Sequence, residues 1–400
     1  MCATILYHNK LQQMCLTKGF SMTELQELRR YRRDLHRIPE LDFDLPQTIA
    51  YIEGVLAPLA CEVTHPCPSC VCAFFDAGVG AARATAIRAD MDALPIAEAT
   101  GAAFASIHPG KMHACGHDGH MAMALAAATY VDRMIREQPG AIRRNVLFVF
   151  QPAEETTGGA KTVCESGVFE RYGVDRIFGF HVWPDLPAGT LASCSGPLLA
   201  RSSETHIHIH GTSIHIAKTY GVPVEESHDA ALAAAKFLVA ERELMDELGT
   251  DEPCIGKFGL LQAGTVRNAI AAHAHLEGSL RVFSESVFKM GRDRLYALGE
   301  QISKDLGVKV HVDAPEGYPP VVNDEKLFED AQKRLPNLEM LPKPLLIAED
   351  FAYYQRTLPG LFILLGTGTG IPLHSDRFNF DEKVLEKGVE IYKHFIDLKD

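Results

Sequence analysis

This chain has no excess of positive charge. Lys and Arg number 39 against 52 Asp and Glu, a formal net charge of −13, so its field repels polyanions and gives no support to nucleic-acid binding. No run approaches the roughly 20 apolar residues of a membrane-spanning helix, which excludes a membrane from the expected partners. The ten cysteines are scattered, without the dense spacing of a small disulfide scaffold. Internal repeats, coiled-coil heptads and low-complexity tracts are missing. Residues Met1–Phe20 mix Asn9, Lys10, Gln12, Gln13 and Lys18 among apolar residues, unlike the continuous apolar core of a secretory signal. That segment reads as a ragged extension, and with the cysteine usage it predicts a soluble protein of the reducing cytoplasm.

What is present suits a globular protein: 46% hydrophobic and 23% charged residues, close to average values. Its 400 residues exceed what one hydrophobic core usually organises, so a large domain with a smaller one inserted is expected. From Met22 to Arg37, Leu25, Leu28 and Tyr31 recur at helical spacing and Pro39 marks the stop, which predicts a first helix. Its Arg29, Arg30, Arg32 and Arg33 read as a solvated face, since acidic neighbours dilute them.

Short apolar runs then alternate with longer helical patterns, the signature of a largely parallel sheet with crossover helices. Ala82–Ile87, Val146–Phe150, Ile177–Phe180 and Leu361–Leu365 read as buried strands. Each leads into a polar cluster: Asp90 with Asp92, Glu154 with Glu155, His181, and, after a glycine-rich loop, His374. Ligand sites in open α/β sheets lie beyond the carboxyl ends of strands, so these four clusters are expected to converge. Between about Ser202 and Asp313 the pattern changes to an alternating strand Thr205–His210, a helix Asp229–Leu248, strands Ile255–Leu261 and Ala271–Val282, a helix Glu285–Leu306 and a short strand. This predicts a separate α+β unit, flanked by hinge-like glycine or proline punctuation at Gly196–Leu199 and Pro315–Val322. The expected division is a catalytic domain over 22–199 and 315–400, with a domain inserted over 200–314.

The segment His113–His120, HACGHDGH, sets a thiol and an imidazole two residues apart in a glycine-containing turn. Thiolate and imidazole suit zinc and similar borderline metals. Taken alone, the cluster fits metal binding and a buried cysteine beside a hydrogen-bonded histidine equally well. In QPAEE, two adjacent carboxylates end the most apolar strand, which suggests that Glu155 ligates a metal while Glu154 handles protons. Asp90 and Asp92 read as acceptors that orient ligating imidazoles, Asp92 above all.

Taken together, RRDLHRIPEL, IRADMDALPI, HACGHDGHMAMAL, FVFQPAEE, GFHVWPDLPAGT, AEDFAYY and PLHSDRFNFDE resemble the zinc aminoacylase-type metallopeptidase family, which includes hippurate hydrolases, N-acyl amino acid amidohydrolases and auxin-conjugate hydrolases. The likeness runs from about Leu28 to Phe395. It implies that Cys115, His117, Glu155, His181 and His374 ligate two divalent metal ions (zinc, manganese or cobalt) and that Glu154 is the general base. It further implies that the insert is a lid and dimerisation domain. Within that lid, His215 resembles a histidine that reaches into the partner's site and Asn268 a substrate-contacting asparagine. Ser213, Ile214, Ile216, Ala217 and Lys218 replace the family's glycine pair and proline around His215, and Ala271 and Ala272 replace a proline and an acidic residue after Asn268.

The activity so implied is hydrolysis of the amide bond of a small-molecule N-acyl amino acid, by a metal-activated water with Glu154 as base and His215 stabilising the oxyanion. The expected assembly is a homodimer, with Thr205–His210 pairing edge to edge with a second copy. A dipeptidase, an N-acetyl-diaminopimelate-type deacetylase and a non-catalytic ligand-binding member are the alternatives. A redox or structural-zinc protein built on Cys61, Cys67, Cys70 and Cys72 is disfavoured, because no second Cys-x-x-Cys pair follows at zinc-ribbon spacing.

Overall fold

The computed structural model describes residues 21–80, 83–156, 158–250, 252–335 and 337–396. The extension read over Met1–Phe20 and the first residue of the strand read from Ala82 lie outside the described residues. The chain divides into two compact units, one of residues 1–193, 326–340 and 357–400, the other of residues 194–325 and 341–356.

The strands in chain order are β1 Glu62–Thr64, β2 Val71–Phe75, β3 Ala84–Asp90, β4 Asn145–Gln151, β5 Val174–Trp183, β6 Leu191–Ser193, β7 Gly196–Leu199, β8 Arg201–His210, β9 Ile255–Ala263, β10 His273–Val282, β11 Lys309–Asp313, β12 Val321–Asn323, β13 Leu338–Met340 and β14 Gly360–Gly366. In the larger unit eight strands form one sheet in the order β1-β2-β4-β3-β5-β14-β6-β13. Its centre, β4-β3-β5-β14, is parallel throughout, and antiparallel partners flank it at β2 and β6. Every residue of β3, β4 and β14 is buried, which is why these strands read as unbroken apolar runs.

Two long helices pack on this sheet, α3 His117–Glu137 and α6 Lys383–Ile396; α1 Met22–Arg37 packs outside them against both, and α2 Pro46–Leu56 packs against α3 and β2. Helix α1 opens on a capping box, with the Ser21 hydroxyl accepting from the Glu24 N–H at 3.2 Å and the Glu24 carboxylate accepting from the Ser21 N–H at 2.8 Å, so both orphan donors are satisfied. Phe178 stacks on Phe395 and Phe180 on Tyr392, with ring centroids 4.2 Å apart in each pair, fixing α6 on the sheet. Arg32 departs from the solvated face expected of it. It is 1% exposed, and its Nε donates to Asp118 at 3.2 Å, because the α1 face bearing it packs over α3.

The smaller unit holds an antiparallel sheet in the order β11-β8-β10-β9, with helices α4 Ala230–Leu248 and α5 Glu285–Leu306 packed on one face. Asp229 caps α4 through hydrogen bonds from the Ala231 and Leu232 N–H groups, and Ser284 caps α5. Strand β8 is interior, paired with β10 on one side and β11 on the other. This corrects the edge-to-edge pairing expected of Thr205–His210: both of its backbone edges are already hydrogen-bonded within the chain. The stretches read as hinges, Gly196–Leu199 and Pro315–Val322, contribute to a two-stranded ribbon in which β7 pairs with β12. Residues 341–356, including the AEDFAYY segment, belong to this unit. Among the described residues no helix is long and apolar enough to cross a membrane.

Candidate metal centre

The parallel centre of the large sheet sets the ends of β4, β3, β5 and β14 side by side, as the four polar clusters require. Asp90 is the last residue of β3, His181 lies near the end of β5, Glu154 and Glu155 follow β4, and His374 follows β14. His117 is the first residue of α3, behind Gly116 at φ 89°. A Cβ at Gly116 would stand 2.4 Å from Val182 Cγ2, so only glycine permits the turn that brings Cys115 and His117 against β5. Gly159 is confined in the same way, since a Cβ there would stand 1.9 Å from the Pro152 carbonyl oxygen. The Gly158 and Gly159 N–H groups close the Glu154–Glu155 turn on the Ala153 oxygen at 3.1 and 3.0 Å.

Cys115 Sγ lies 3.2 Å from His181 Nε2. His117 Nε2 lies 3.9 Å from Glu155 Oε1 and 4.0 Å from Glu154 Oε2, and His374 Nε2 lies 3.3 Å from Glu155 Oε2. Ligand atoms of Cys115, His117 and His181 lie within 4.8 Å of one another, as do those of Cys115, Glu155 and His374, and of His117, Glu154 and Glu155. All five residues expected as ligands and the expected base therefore meet in one place. Two of the residues involved adopt left-handed backbone, Ala153 at φ 55° and His374 at φ 63°, a conformation costing non-glycine residues on the order of 1–3 kcal/mol. The His374 N–H donates to the Ala114 oxygen at 2.9 Å, which ties this loop to the Cys115 turn.

The nitrogen each imidazole offers is settled by its other hydrogen bond. His117 Nδ1 donates to the Asp92 carbonyl oxygen at 2.8 Å and His181 Nδ1 to the Val182 oxygen at 2.7 Å, so each turns a bare Nε2 into the cluster. His120 behaves differently. Its Nδ1 donates to Asp90 at 2.6 Å and its Nε2 accepts the Val182 N–H at 3.0 Å, which leaves no lone pair to offer. The aspartates depart from the orienting role expected of their carboxylates. Asp92 orients His117 through its backbone oxygen, its carboxylate being 3.8 Å from His117 Nδ1. That carboxylate instead accepts the Glu154 and Glu155 N–H groups, each at 3.0 Å, and so positions the glutamate pair. Asp90 holds His120 and is paired with Arg88.

These residues fit a cation. His117 Nε2 and Glu155 Oε1 are buried with no hydrogen-bond partner, an arrangement costly for polar groups unless something binds them. Burial, together with the Glu155 and Glu154 charges, pushes the Cys115 thiol well above its ordinary range. Burial lowers His181 to about 3, with His120 adding to the effect, so it remains a neutral ligand. A bound cation reverses the penalty on the thiolate.

Sequence reasoning missed the layer behind this cluster. Asp118 accepts from Arg32 at 3.2 Å and from His36 Nδ1 at 2.8 Å, while His36 Nε2 faces Glu98 at 3.3 Å. Burial opposes charge on His36, yet Asp118 and Glu98 overcome it and raise the imidazole to about 9. The available signal was Asp118 itself, a carboxylate inside HACGHDGH. Of the remaining predicted residues, His215 and Asn268 lie in the smaller unit on neighbouring segments, joined by the Ile216 N–H donating to the Asn268 oxygen at 3.1 Å. The His215 ring is exposed and accepts the Ala217 N–H at 3.2 Å. Cys61, Cys67, Cys70 and Cys72 are free thiols, with Cys70 Sγ 3.8 Å from Cys72 Sγ.

A buried thiol, imidazoles with bare nitrogens and paired glutamates at the carboxyl ends of parallel strands define a metal-binding hydrolase. The chain belongs to peptidase family M20/M25/M40, which matches residues 86–398, and it is a metal-dependent hydrolase acting on amide bonds. N-acetyldiaminopimelate deacetylase of Streptococcus suis is 33% identical over 378 residues, covering 92% of this chain and 98% of that protein. The enzyme of the same name from Lacticaseibacillus casei is 35% identical, covering 92% and 96%. A solved structure of a dinuclear metal-binding peptidase of this family from Bacillus subtilis matches at TM-score 0.79 and 30% identity, covering 94% of this chain and 98% of that one. A protein from methicillin-resistant Staphylococcus aureus matches at TM-score 0.85 and 29% identity, covering 94% and 97%.

Proposed function

We propose that the protein hydrolyses the amide bond of N-acyl amino acids at a two-metal centre held by Cys115, His117, Glu155, His181 and His374. The carrying observation is the buried, unpartnered pair His117 Nε2 and Glu155 Oε1, set beside Glu154. Divalent ions bound there would acidify water and polarise the scissile carbonyl. Glu154 takes the proton from the attacking water and returns it to the departing amine nitrogen, so one carboxylate serves as base and then as acid. Asp92 keeps that carboxylate aimed by holding the Glu154 N–H. In this reading His215 stabilises the developing oxyanion and Asn268 contacts substrate, within a homodimer formed through the smaller unit.

The names of the curated relatives favour a second reading of substrate, an N-acetylated diamino acid. One panel separates the readings: N-acetyl-diaminopimelate, N-acetyl and N-benzoyl amino acids and simple dipeptides, each tested with zinc, manganese and cobalt. Preference for acylated single amino acids supports the first reading, and exclusive turnover of the acetylated diamino acid the second. Cleavage of dipeptides alone overturns both.

A further inference from the structure

The smaller unit displays a second concentration of imidazoles, built from residues separate from those described above. In THIHIH and HAH the alternate residues Ile207, Ile209 and Ala274 are buried, so the period of the strand turns His206, His208 and His210 of β8, with His273 and His275 of β10, to the opposite face. The register then aligns them in rows. His210 stands opposite His273, His208 opposite His275, and His206 opposite Glu277. From the other side β11 sets His311 opposite His208 and Asp313 opposite His206.

The contacts within these rows are close. His210 Nδ1 lies 3.0 Å from His273 Nδ1, and His208 Nδ1 lies 3.1 Å from His275 Nδ1. Two imidazole nitrogens at that distance share a single proton, so one ring of each pair offers a lone pair. His275 Nε2 lies 2.6 Å from Glu277 Oε1, and the His206 and His275 rings are stacked with centroids 6.3 Å apart. One ligand atom each from His206, His275 and Glu277 all lie within 4.8 Å of one another. A tetrahedral zinc with bonds of about 2.1 Å sets its ligands roughly 3.4 Å apart, a spacing these side chains reach by small rotations.

We infer that this face is a second metal site, in which His206, His275 and Glu277 bind a divalent transition metal of imidazole preference such as zinc, nickel or copper. The metal replaces the proton between His275 Nε2 and Glu277 Oε1. His208 holds the opposite nitrogen of the His275 ring, as an outer acceptor orients a ligating histidine. An imidazole and carboxylate set without thiolate selects these metals over magnesium or calcium, and the net charge of −13 favours a cation. The fourth position is left to water.

The test uses the full-length, untagged protein and zinc alone, measured by equilibrium dialysis with elemental analysis. Wild type is expected to hold one zinc per chain more than the His206→Asn/His275→Asn double variant, with amide hydrolysis unchanged. The Glu277→Gln variant, conservative at an exposed position, is expected to weaken that zinc at least tenfold and serves if the double variant folds poorly. A Cys115→Ser/His117→Ala chain should retain it. Cobalt added to that chain should show weak d–d bands without a thiolate charge-transfer band. Equal zinc content in wild type and in the His206 and Glu277 variants overturns the site, as does loss of the extra zinc with Cys115 and His117.

Discussion

The two sheets put histidine to opposite uses. In the larger unit His117 and His181 are buried, each ring held by one backbone carbonyl and aimed with one bare nitrogen. In the smaller unit the histidines of β8 and β10 stand on the open face of an antiparallel sheet and pair with each other. The difference follows from sheet type. A parallel sheet buried on both faces presents polar chemistry only at its strand ends, whereas a sheet with one open face displays every second residue. Function in the first case depends on tertiary convergence. In the second, register alone assembles the ligands.

The largest effects are expected where convergence is broken. Cys115→Ser and His117→Ala should each lose bound metal and activity together, since a hydroxyl and a methyl replace good ligands. Full metal content with full activity would contradict the ligand set. Glu154→Gln should keep its metal, read by elemental analysis, while turnover falls by about two to four orders of magnitude. Glu155→Gln should lose metal, and exchange of the two phenotypes would reverse the roles assigned to the pair.

Next comes the charged layer behind the cluster. Removing one partner of a buried ion pair costs about 3–5 kcal/mol, so Asp118→Asn, which takes from Arg32 and protonated His36 the carboxylate they share, is expected to lower the unfolding free energy by that order. Chemical denaturation measures it, and a change within error would show that the layer carries little. The same layer sets a pH dependence. His36 is raised from 6.5 to about 9 in the folded protein, so its contribution is complete below pH 6.5 and is lost as pH rises through 9. Tm should therefore decline between these values, and His36→Gln should flatten that part of the profile.

The smallest effect belongs to the other unit, and its sign is opposite to that of an ordinary paired carboxylate. Glu241 is 4% exposed with Oε1 unpartnered, and burial raises it to about 7 against the opposing charges of Lys257 and Arg242. The fold prefers its protonated form, so its charge begins to cost stability above pH 4.5, and the cost is complete above pH 7. Glu241→Gln should stabilise the protein at pH 8 by on the order of 1 kcal/mol, allowing for partial solvent access, and give no gain at pH 4. An equal change at both pH values would show that ionisation is not the cause.

Much of this was legible along the chain because it repeats at short range. Met22–Arg37 and Glu285–Leu306 are helices over the ranges their periodicity predicts, and the buried strands could be read because β3, β4 and β14 have no exposed face to interrupt the apolar run. Arg32 was not legible. Its neighbours in sequence are solvated arginines, and only the packing of α1 over α3 makes it a buried partner of Asp118. The interior position of β8 was equally hidden, since alternation reports which face a strand buries but says nothing of which strands flank it.

Residue type and spacing alone determined that thiol, imidazoles and glutamates follow apolar strands, and that the histidines of β8 fall on one face. Only the tertiary structure decided which nitrogen each buried histidine offers and that Asp92 serves through its carbonyl for His117 and its carboxylate for Glu154 and Glu155. It also decided that His206 meets Glu277. The physical reason is that a period of 2 or 3.6 residues is a property of one segment, whereas a hydrogen bond from β5 to α3, or a register between β8 and β10, exists only between segments already packed together.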